Sequence, residues 1–279
     1  MTVPGPGWDD ILNALLTSRG AAMIIGETDS GKSSLARYLL ERLVAEKVRV
    51  SLVDSDIGQS ALGLPGTISM KIFRGEDDLE GFSFEKMSFV GTASPAKNIT
   101  SMIKVTKSMT DLCRKSSEIV LVDTTGLVSG SAGRALKIGK IRAVGPEHVI
   151  AVERGDELGH ILSLIENTNL HKLRASGMAK TRSSSERFHY RRDKLSDYFS
   201  RGCADLLLNK DEVKFSCSLG PAGLKDCGTS EGALVGLNHK GDTLALGVVT
   251  EITPGSVSFR APVKSLKDID EVVFGDMKY

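Results

Sequence analysis

The sequence predicts an α/β fold, a mostly parallel sheet flanked by helices, followed by a small β-rich C-terminal domain. Three observations carry this. Ala21 to Ile25 is a short apolar run that leads into Gly26-Glu27-Thr28-Asp29-Ser30-Gly31-Lys32-Ser33-Ser34 and matches G-x-x-x-x-G-K-[ST]. Leu35, Tyr38, Leu39 and Leu43 then recur at helical spacing, which supplies the strand–loop–helix context that a phosphate-binding loop requires. From Ala204 onward the pattern changes to short β runs separated by turn signals such as Gly220-Pro221, Lys240-Gly241-Asp242 and Pro254-Gly255.

Residues 26–34 are therefore read as a P-loop on an exposed phosphate-binding turn. Its backbone N–H groups and the following helix N-terminus face phosphates. Lys32 is placed to reach the β- and γ-phosphates, and the Ser33 hydroxyl to hold Mg²⁺. The chemistry implied is binding of a nucleoside triphosphate.

At 279 residues, the chain has room for one large α/β domain over 21–203 and a companion over 204–279, behind an N-terminal segment 1–20. The net charge of +1 gives no global attraction for nucleic acid, so any basic surface must be local. Cys113, Cys203, Cys217 and Cys227 form no C-x-x-C pair, which argues against zinc, and their distribution fits reduced thiols. No charged-then-apolar leader and no membrane-length apolar run are visible, so the expectation is a soluble, cytoplasmic protein without membrane contact.

In chain order, Trp8 opens a short amphipathic helix with Ile11, Leu12, Leu15 and Leu16 on one stripe. Trp8 either staples that helix to the core or covers a nucleobase, and the former is the commoner use. Val48 to Val53 predicts a second strand running into Asp54-Ser55-Asp56-Ile57-Gly58-Gln59. Two acids at the carboxyl end of a strand in an open α/β sheet lie where ligands bind, and residues two apart share a face. Leu64 to Ser69 reads as a loop, Lys71 to Leu79 as an exposed excursion, and Phe84 to Val90 as a strand. Ile99, Met102, Ile103, Thr106, Met109 and Cys113 form the buried stripe of a helix.

Ile119 to Val122 is an apolar strand ending in Asp123-Thr124-Thr125-Gly126, the Walker B position that supports a metal or its water. D-x-x-G also senses the γ-phosphate in switch GTPases, so this element alone leaves kinase and switch open. Ser131 to Arg142 reads as helix and His148 to Val152 as strand, and Leu158, Ile161, Leu162 and Ile165 mark a further amphipathic helix. Residues 172–201 carry nine Lys and Arg against Glu186, Asp193 and Asp197, a local charge of +6. Ser183 to Glu186 offers a capping box that starts a helix with Phe188, Leu195, Tyr198 and Phe199 on its buried edge. The Ser-rich connection after Gly177 suits a mobile basic lid. Asn209-Lys210-Asp211-Glu212 imitates the guanine-reading N-K-x-D, but its fourth residue and its position are wrong.

The series 26–34, D-S-D-I-G-Q (54–59), P-G-T-I-S (65–69), T-A-S-P-A-K-N (92–98), D-T-T-G-L-V-S-G (123–130) and the Arg-rich segment ending Asp197-Tyr198-Phe199 resembles the polynucleotide 5′-hydroxyl kinases. That family includes the RNA kinase subunit of pre-mRNA cleavage and tRNA-splicing assemblies. The likeness covers about residues 8–205 and suggests a compact prokaryotic-type member without the N-terminal domain of eukaryotic relatives. It implies that Asp56 activates the attacking hydroxyl beside Mg²⁺, with Ser33 and Asp123 completing the metal environment and Gln59 in the same element. It implies that Thr92, Ser94, Pro95 and Asn98 form a clasp on the nucleic-acid backbone, and that Arg182 and Arg187 are lid arginines that close over the transferred phosphoryl group. Leu127 departs from relatives that carry a base-stacking aromatic there; stacking is worth about 1–3 kcal/mol per base.

The resemblance thus implies ATP and Mg²⁺ as cofactors, nucleic-acid 5′ ends as partners, and transfer of the γ-phosphoryl of ATP to the 5′-hydroxyl of RNA or DNA. The main alternative is an ATP- or GTP-hydrolysing switch or assembly factor in RNA processing. A kinase of a small nucleoside and a purely structural nucleic-acid module are further options, which the basic lid and the intact Lys32, Ser33 and Asp56 disfavour.

Overall fold

The computed structural model describes residues 4–80, 83–175, 181–220, 229–263 and 267–279. Gly177, Lys180, Pro221 and Cys227 lie outside the described residues. The N-terminal elements are α1 (Trp8–Thr17), β1 (Gly20–Gly26), α2 (Lys32–Ala45), β2 (Val50–Ser55), β3 (Thr67–Phe73) and β4 (Lys86–Phe89). They are followed by α3 (Ile99–Arg114), β5 (Ile119–Thr124), α4 (Gly130–Val144), β6 (His148–Glu153), α5 (Gly159–Leu162), β7 (Asn169–Arg174) and α6 (Ser184–Phe199). The C-terminal strands are β8 (Ala204–Asn209), β9 (Lys214–Cys217), β10 (Ala233–His239), β11 (Asp242–Ile252), β12 (Ser256–Ala261) and β13 (Glu271–Lys278).

Apolar runs without alternation suit strands covered on both faces. Accordingly β7, β6, β1, β5 and β2 lie side by side in that order, all parallel. Successive side chains of β1 serve opposite faces: Ala21, Met23 and Ile25 pack with α3 and α4, whereas Ala22 and Ile24 pack with α1 and α2. The methionine stripe of α3 is core packing, as its periodicity indicated. Trp8 is the staple: its ring lies 5.3 Å from that of Tyr38, and Tyr38 Oη donates to Asp9.

Several expectations need correction. Leu64–Ser69 is not all loop and Lys71–Leu79 is not all excursion, because 67–73 is the buried strand β3, antiparallel to β2. Lys71 gives this strand a charged residue that its sequence does not explain, but the fold brings its amine to Asp78 O at 2.7 Å, so a charged side chain sits in a buried strand. The helix expected from Leu158 to Ile165 is a single turn. Lys172 and Arg174 belong to β7 rather than to a lid, and Phe188 is 55% exposed rather than on the buried edge of α6. Cys217 is disulfide-bonded, against the expectation of four reduced thiols, whereas Cys113 and Cys203 are free.

The C-terminal strands have their own apolar cluster around Val235, Leu237, Val249, Phe259 and Val272. They also continue the main sheet, since β11 pairs with β4 at Thr243 and Met87. A mixed cluster of Phe89, Leu195, Phe199, Leu234 and Leu246 seals the joint. Glu271, Gly275 and Asp276 break the apolar pattern of β13, so its sequence alone does not mark it as a strand. It matters, because it holds the loop after β4: Asp276 N donates to Gly91 O at 2.8 Å and Lys97 pairs with Asp276 at 2.7 Å.

This contact is tight enough to test. A Cβ on Gly275 would lie 2.1 Å from the Gly91 carbonyl oxygen, whereas one on Gly255 would meet open space. Gly275→Ala is expected to destabilise the protein by about 1–3 kcal/mol, as overpacking does, with Gly255→Ala close to neutral. Chemical denaturation compares the two, and equal stabilities would contradict the docking of β13 on this loop.

Candidate active site

β1, β2 and β5 end level with one another, with Asp54 opposite Asp123 and Ser55 opposite Thr124 in register. The loops after these three strands therefore meet above the sheet, at the ligand-binding edge of an open α/β fold. Gly126 lets two of them touch, since a Cβ there would lie 2.4 Å from Thr28 N. The P-loop runs from Gly26 to Ser34, with α2 beginning at Lys32 so that the helix N-terminus faces the cavity. Lys32 is 5% exposed, not on an open loop as expected, and its Nζ donates to Glu27 O at 2.5 Å. Burial holds its amine below the usual lysine range, opposed by Asp123, Asp56 and Asp29.

Ser33 Oγ donates to Asp123 Oδ2 at 2.6 Å. The other oxygen, Asp123 Oδ1, is buried without a hydrogen-bond partner. Burial, and then the Asp54 charge, push this carboxyl up to about 7. An orphaned buried oxygen beside a hydroxyl is the donor set a hard divalent cation uses, so the residues fit such an ion. Among the described residues, no group of three or more His, Cys, Asp or Glu is arranged to hold a metal. Mg²⁺ characteristically takes only one or two carboxylates and completes its shell with phosphates and water.

The two acids of D-S-D do different work. Asp54 is 1% exposed, and its carboxylate accepts from Ser60 Oγ (2.8 Å), Leu62 N (2.9 Å) and Asp56 N (3.1 Å), which shapes the loop 55–62. Asp56 lies past the strand end, where Oδ1 alone accepts from Gly58 N and Gln59 N, at 3.0 and 3.1 Å. Asp56 thus projects into the site while Asp54 sits beneath it.

Two cavities open around Asp56. One, ≈ 750 Å³, lies along Asp29, Gly31 to Ser34, Arg182, Glu186 and Tyr190. The other, ≈ 450 Å³, lies along Glu27, Pro95, Gly126, Leu127, Arg187 and Arg191. Thr28, Asp56 and Gln59 line both. The 92–98 loop contributes unequally: Pro95 lines the second cavity and Ser94 is exposed, whereas Thr92 and Asn98 are buried supports. Thr92 Oγ1 accepts from Ser94 N at 3.1 Å, and Asn98 Nδ2 donates to Val90 O (3.1 Å) and Ser218 O (2.8 Å).

α6 covers the P-loop and starts at the expected capping box, Ser183 with Glu186. Arg187 Nη2 pairs with Asp29 Oδ2 at 2.7 Å, while its Nε is buried with no partner. Arg182 donates its backbone N–H to the same Asp29 oxygen at 2.9 Å and Nη1 to Gln59 Oε1 at 3.1 Å. Lys194, one of the nine basic residues of 172–201, and two residues not singled out from sequence, Tyr190 and Arg154, complete the cover. Tyr190 Oη donates to Ser60 O at 2.8 Å beneath the Arg182 guanidinium, Lys194 Nζ donates to Ala61 O at 2.7 Å, and Arg154 Nη2 donates to Asp29 O at 2.6 Å. No motif marks them. Lys137 and Lys140 of α4 were also missed; burial lowers both amines, Lys137 far below its ordinary range and Lys140 to about 7.

No helix among the described residues is long and apolar enough to cross a membrane. A family model described as the mRNA cleavage and polyadenylation factor CLP1 P-loop matches residues 26–201. A polyribonucleotide 5′-hydroxyl-kinase of Pyrococcus abyssi is 41% identical over 181 residues, covering 63% of this chain and 50% of the relative. One of Methanocaldococcus jannaschii is 37% identical over 179 residues, covering 63% and 49%. The chain spans about half the length of these relatives. A solved Clp1p–Pcf11p complex superposes with a TM-score of 0.72 over 97% of this chain and 77% of that one, at 13% identity, a likeness of fold. The P-loop, the paired strand ends and the arginine-bearing helix above them are thus those of a CLP1 P-loop protein, and the chain belongs to that family.

Proposed function

We propose that this protein is an ATP-dependent polynucleotide 5′-hydroxyl kinase with RNA as its acceptor. The observation that carries this reading is the pair of cavities that share Asp56. A nucleotide cavity against the P-loop and a second cavity against Pro95 and Leu127 meet at a single carboxylate. Phosphoryl transfer needs a donor and an acceptor in line, charge neutralisation and a proton acceptor. A hydrolytic switch would not need the second cavity. The names of the archaeal relatives supply the acceptor class.

Lys32 and the α2 N-terminus hold the triphosphate. Ser33 and Asp123 would hold Mg²⁺, with Asp56 beside it, and the ion would supply charge neutralisation to the phosphates. Asp56 accepts the proton of the 5′-hydroxyl as its oxygen bonds to Pγ and the bond from Pγ to the departing ADP oxygen breaks. Asp54 keeps the Asp56 loop in shape. Arg187, released from Asp29, and Arg182 stabilise the charge on the phosphoryl group in flight. Pro95 and Leu127 wall the acceptor, with Thr92, Ser94 and Asn98 holding the loop that carries Pro95.

Asp56→Asn retains the Oδ1 contacts to Gly58 and Gln59, so it should fold and bind ATP normally while phosphorylating a 5′-hydroxyl oligonucleotide about 10²–10⁴-fold more slowly. Asp54→Asn cannot satisfy all its donors and should lose about 1–3 kcal/mol of stability. Transfer rate and denaturation midpoint, measured on both variants, would refute the division of labour if the pattern reversed.

Arg187→Ala should lower single-turnover transfer by about 10³–10⁵, the worth of an arginine at a transferring phosphoryl group. Arg192, which among the described residues pairs with the adjacent Asp193 at 3.8 Å and has a side chain 59% exposed, is the control. Equal behaviour of the two alanine variants would reduce α6 to a basic surface.

A further inference from the structure

Two lysines of α4 have no place in the chemistry above. Lys137 and Lys140 are both 0% exposed and rank among the largest fully buried side chains of the molecule. Lysine is almost never fully buried unless paired, and desolvating an amine costs several kcal/mol if its charge is kept. Among the described residues, neither forms an ion pair with a carboxylate; their donors go to hydroxyl and carbonyl oxygens at the ends of β2 and β5. Leucine or methionine at these positions would fill the same space at no desolvation cost, so packing alone does not account for them.

The partners of the two amines account for them better. Lys140 Nζ donates to Ser55 Oγ at 2.8 Å and lies 3.5 Å from Ser55 O. Ser55 stands between Asp54 and Asp56, and its own hydroxyl donates to Asp123 O at 2.8 Å. Lys137 Nζ donates to Thr124 Oγ1 at 2.8 Å and to Thr125 O, inside the D-T-T-G turn. Thr124 Oγ1 in turn donates to Ile24 O at 2.8 Å, on the strand that feeds the P-loop. Two adjacent turns of one helix therefore tie together β1, β2 and β5 at the level where their functional loops begin.

We propose that Lys137 and Lys140 are positioning residues, a clamp beneath the sheet edge that fixes Asp56 and Asp123 relative to the P-loop. The proposal rests on the kinase reading. Neither amine touches a reacting atom; each acts through Ser55 or Thr124. An amine retains at least two donors whether or not it is protonated, so the clamp holds in either state. Misplacing reacting groups by about 1 Å costs about 10²-fold in rate, which sets the scale of the effect.

The test uses Lys137→Met and Lys140→Met, which preserve length and remove the donors, with Ser55→Ala and Thr124→Val as milder variants that remove the accepting hydroxyls together with their own bonds to Asp123 O and Ile24 O. For each, the melting temperature, ATP affinity, and kcat and KM on a 5′-hydroxyl oligoribonucleotide are measured. The expected result is folded protein with ATP affinity and KM unchanged and kcat lower by about 10²-fold. Ser55→Ala should lower kcat too, and the double variant with Lys140→Met should lose less than the two single losses combined, because the two share the contact between Lys140 Nζ and Ser55 Oγ. If the lysine variants do not fold, Ser55→Ala and Thr124→Val decide the matter by the same split between kcat and KM. Wild-type kcat in folded variants, losses shared equally by ATP affinity and kcat, or additive losses in the double variant would each overturn the proposal. Wild-type protein that transfers no phosphate would instead overturn the kinase reading and this proposal with it.

Discussion

The hydrogen bond from Ser33 Oγ to Asp123 Oδ2, 2.6 Å long, is the contact on which the site depends. It joins the first turn of α2 to the end of β5, and so sets the P-loop against the strand end beside the P-loop cavity. It forms because β1 and β5 are neighbours in the sheet with Ile24 opposite Asp123. The neighbouring β2 then brings Asp54 level with Asp123, and Asp56 two residues beyond. Sheet register thereby fixes which side chains can meet above it. Loop sequence decides only how each is presented.

Collecting two buried carboxylates, Asp54 and Asp123, beside the half-buried Asp56 opposes folding, because the buried pair must be desolvated. The protein offsets this with hydrogen bonds. Asp54 is saturated by Ser60, Leu62 and Asp56, and Asp56 is held by two backbone N–H groups. Of these three carboxylates, Asp123 alone keeps a buried oxygen without a partner among the described residues. On the kinase reading, that residual polarity is where a cation would be received. The same logic governs α6, where Arg187 is held by Asp29 through one nitrogen while its Nε stays unpartnered.

Much of this was legible in the sequence, for identifiable reasons. G-E-T-D-S-G-K-S, D-S-D and D-T-T-G each follow an apolar run, so strand ends and chemistry could be read together. The capping box at Ser183 reported the start of α6 because its signature is local. What stayed hidden depends on tertiary contact. β3 was disguised by Lys71, whose charge is absorbed by a carbonyl that only the fold brings near. Lys137 and Lys140 look like the wet face of a helix until α4 is laid across the strand ends. Thr92 and Asn98 read as ligands yet serve as supports, because polar residues in a surface loop look alike whether they point out or in. The anchoring of the 92–98 loop by β13 and Ser218 also lay beyond the sequence, since more than a hundred residues separate these partners.

The C-terminal strands therefore share in the site by holding one wall of the second cavity, and Asp56 stands where both cavities open. On the kinase reading, a phosphoryl group crosses that junction. Incubating the wild-type protein with γ-labelled ATP, Mg²⁺ and a 5′-hydroxyl oligoribonucleotide, then mapping the label by nuclease digestion, tests it directly. Label confined to the 5′-terminal nucleotide is the predicted result. Label released only as inorganic phosphate, with or without the oligonucleotide, would contradict it.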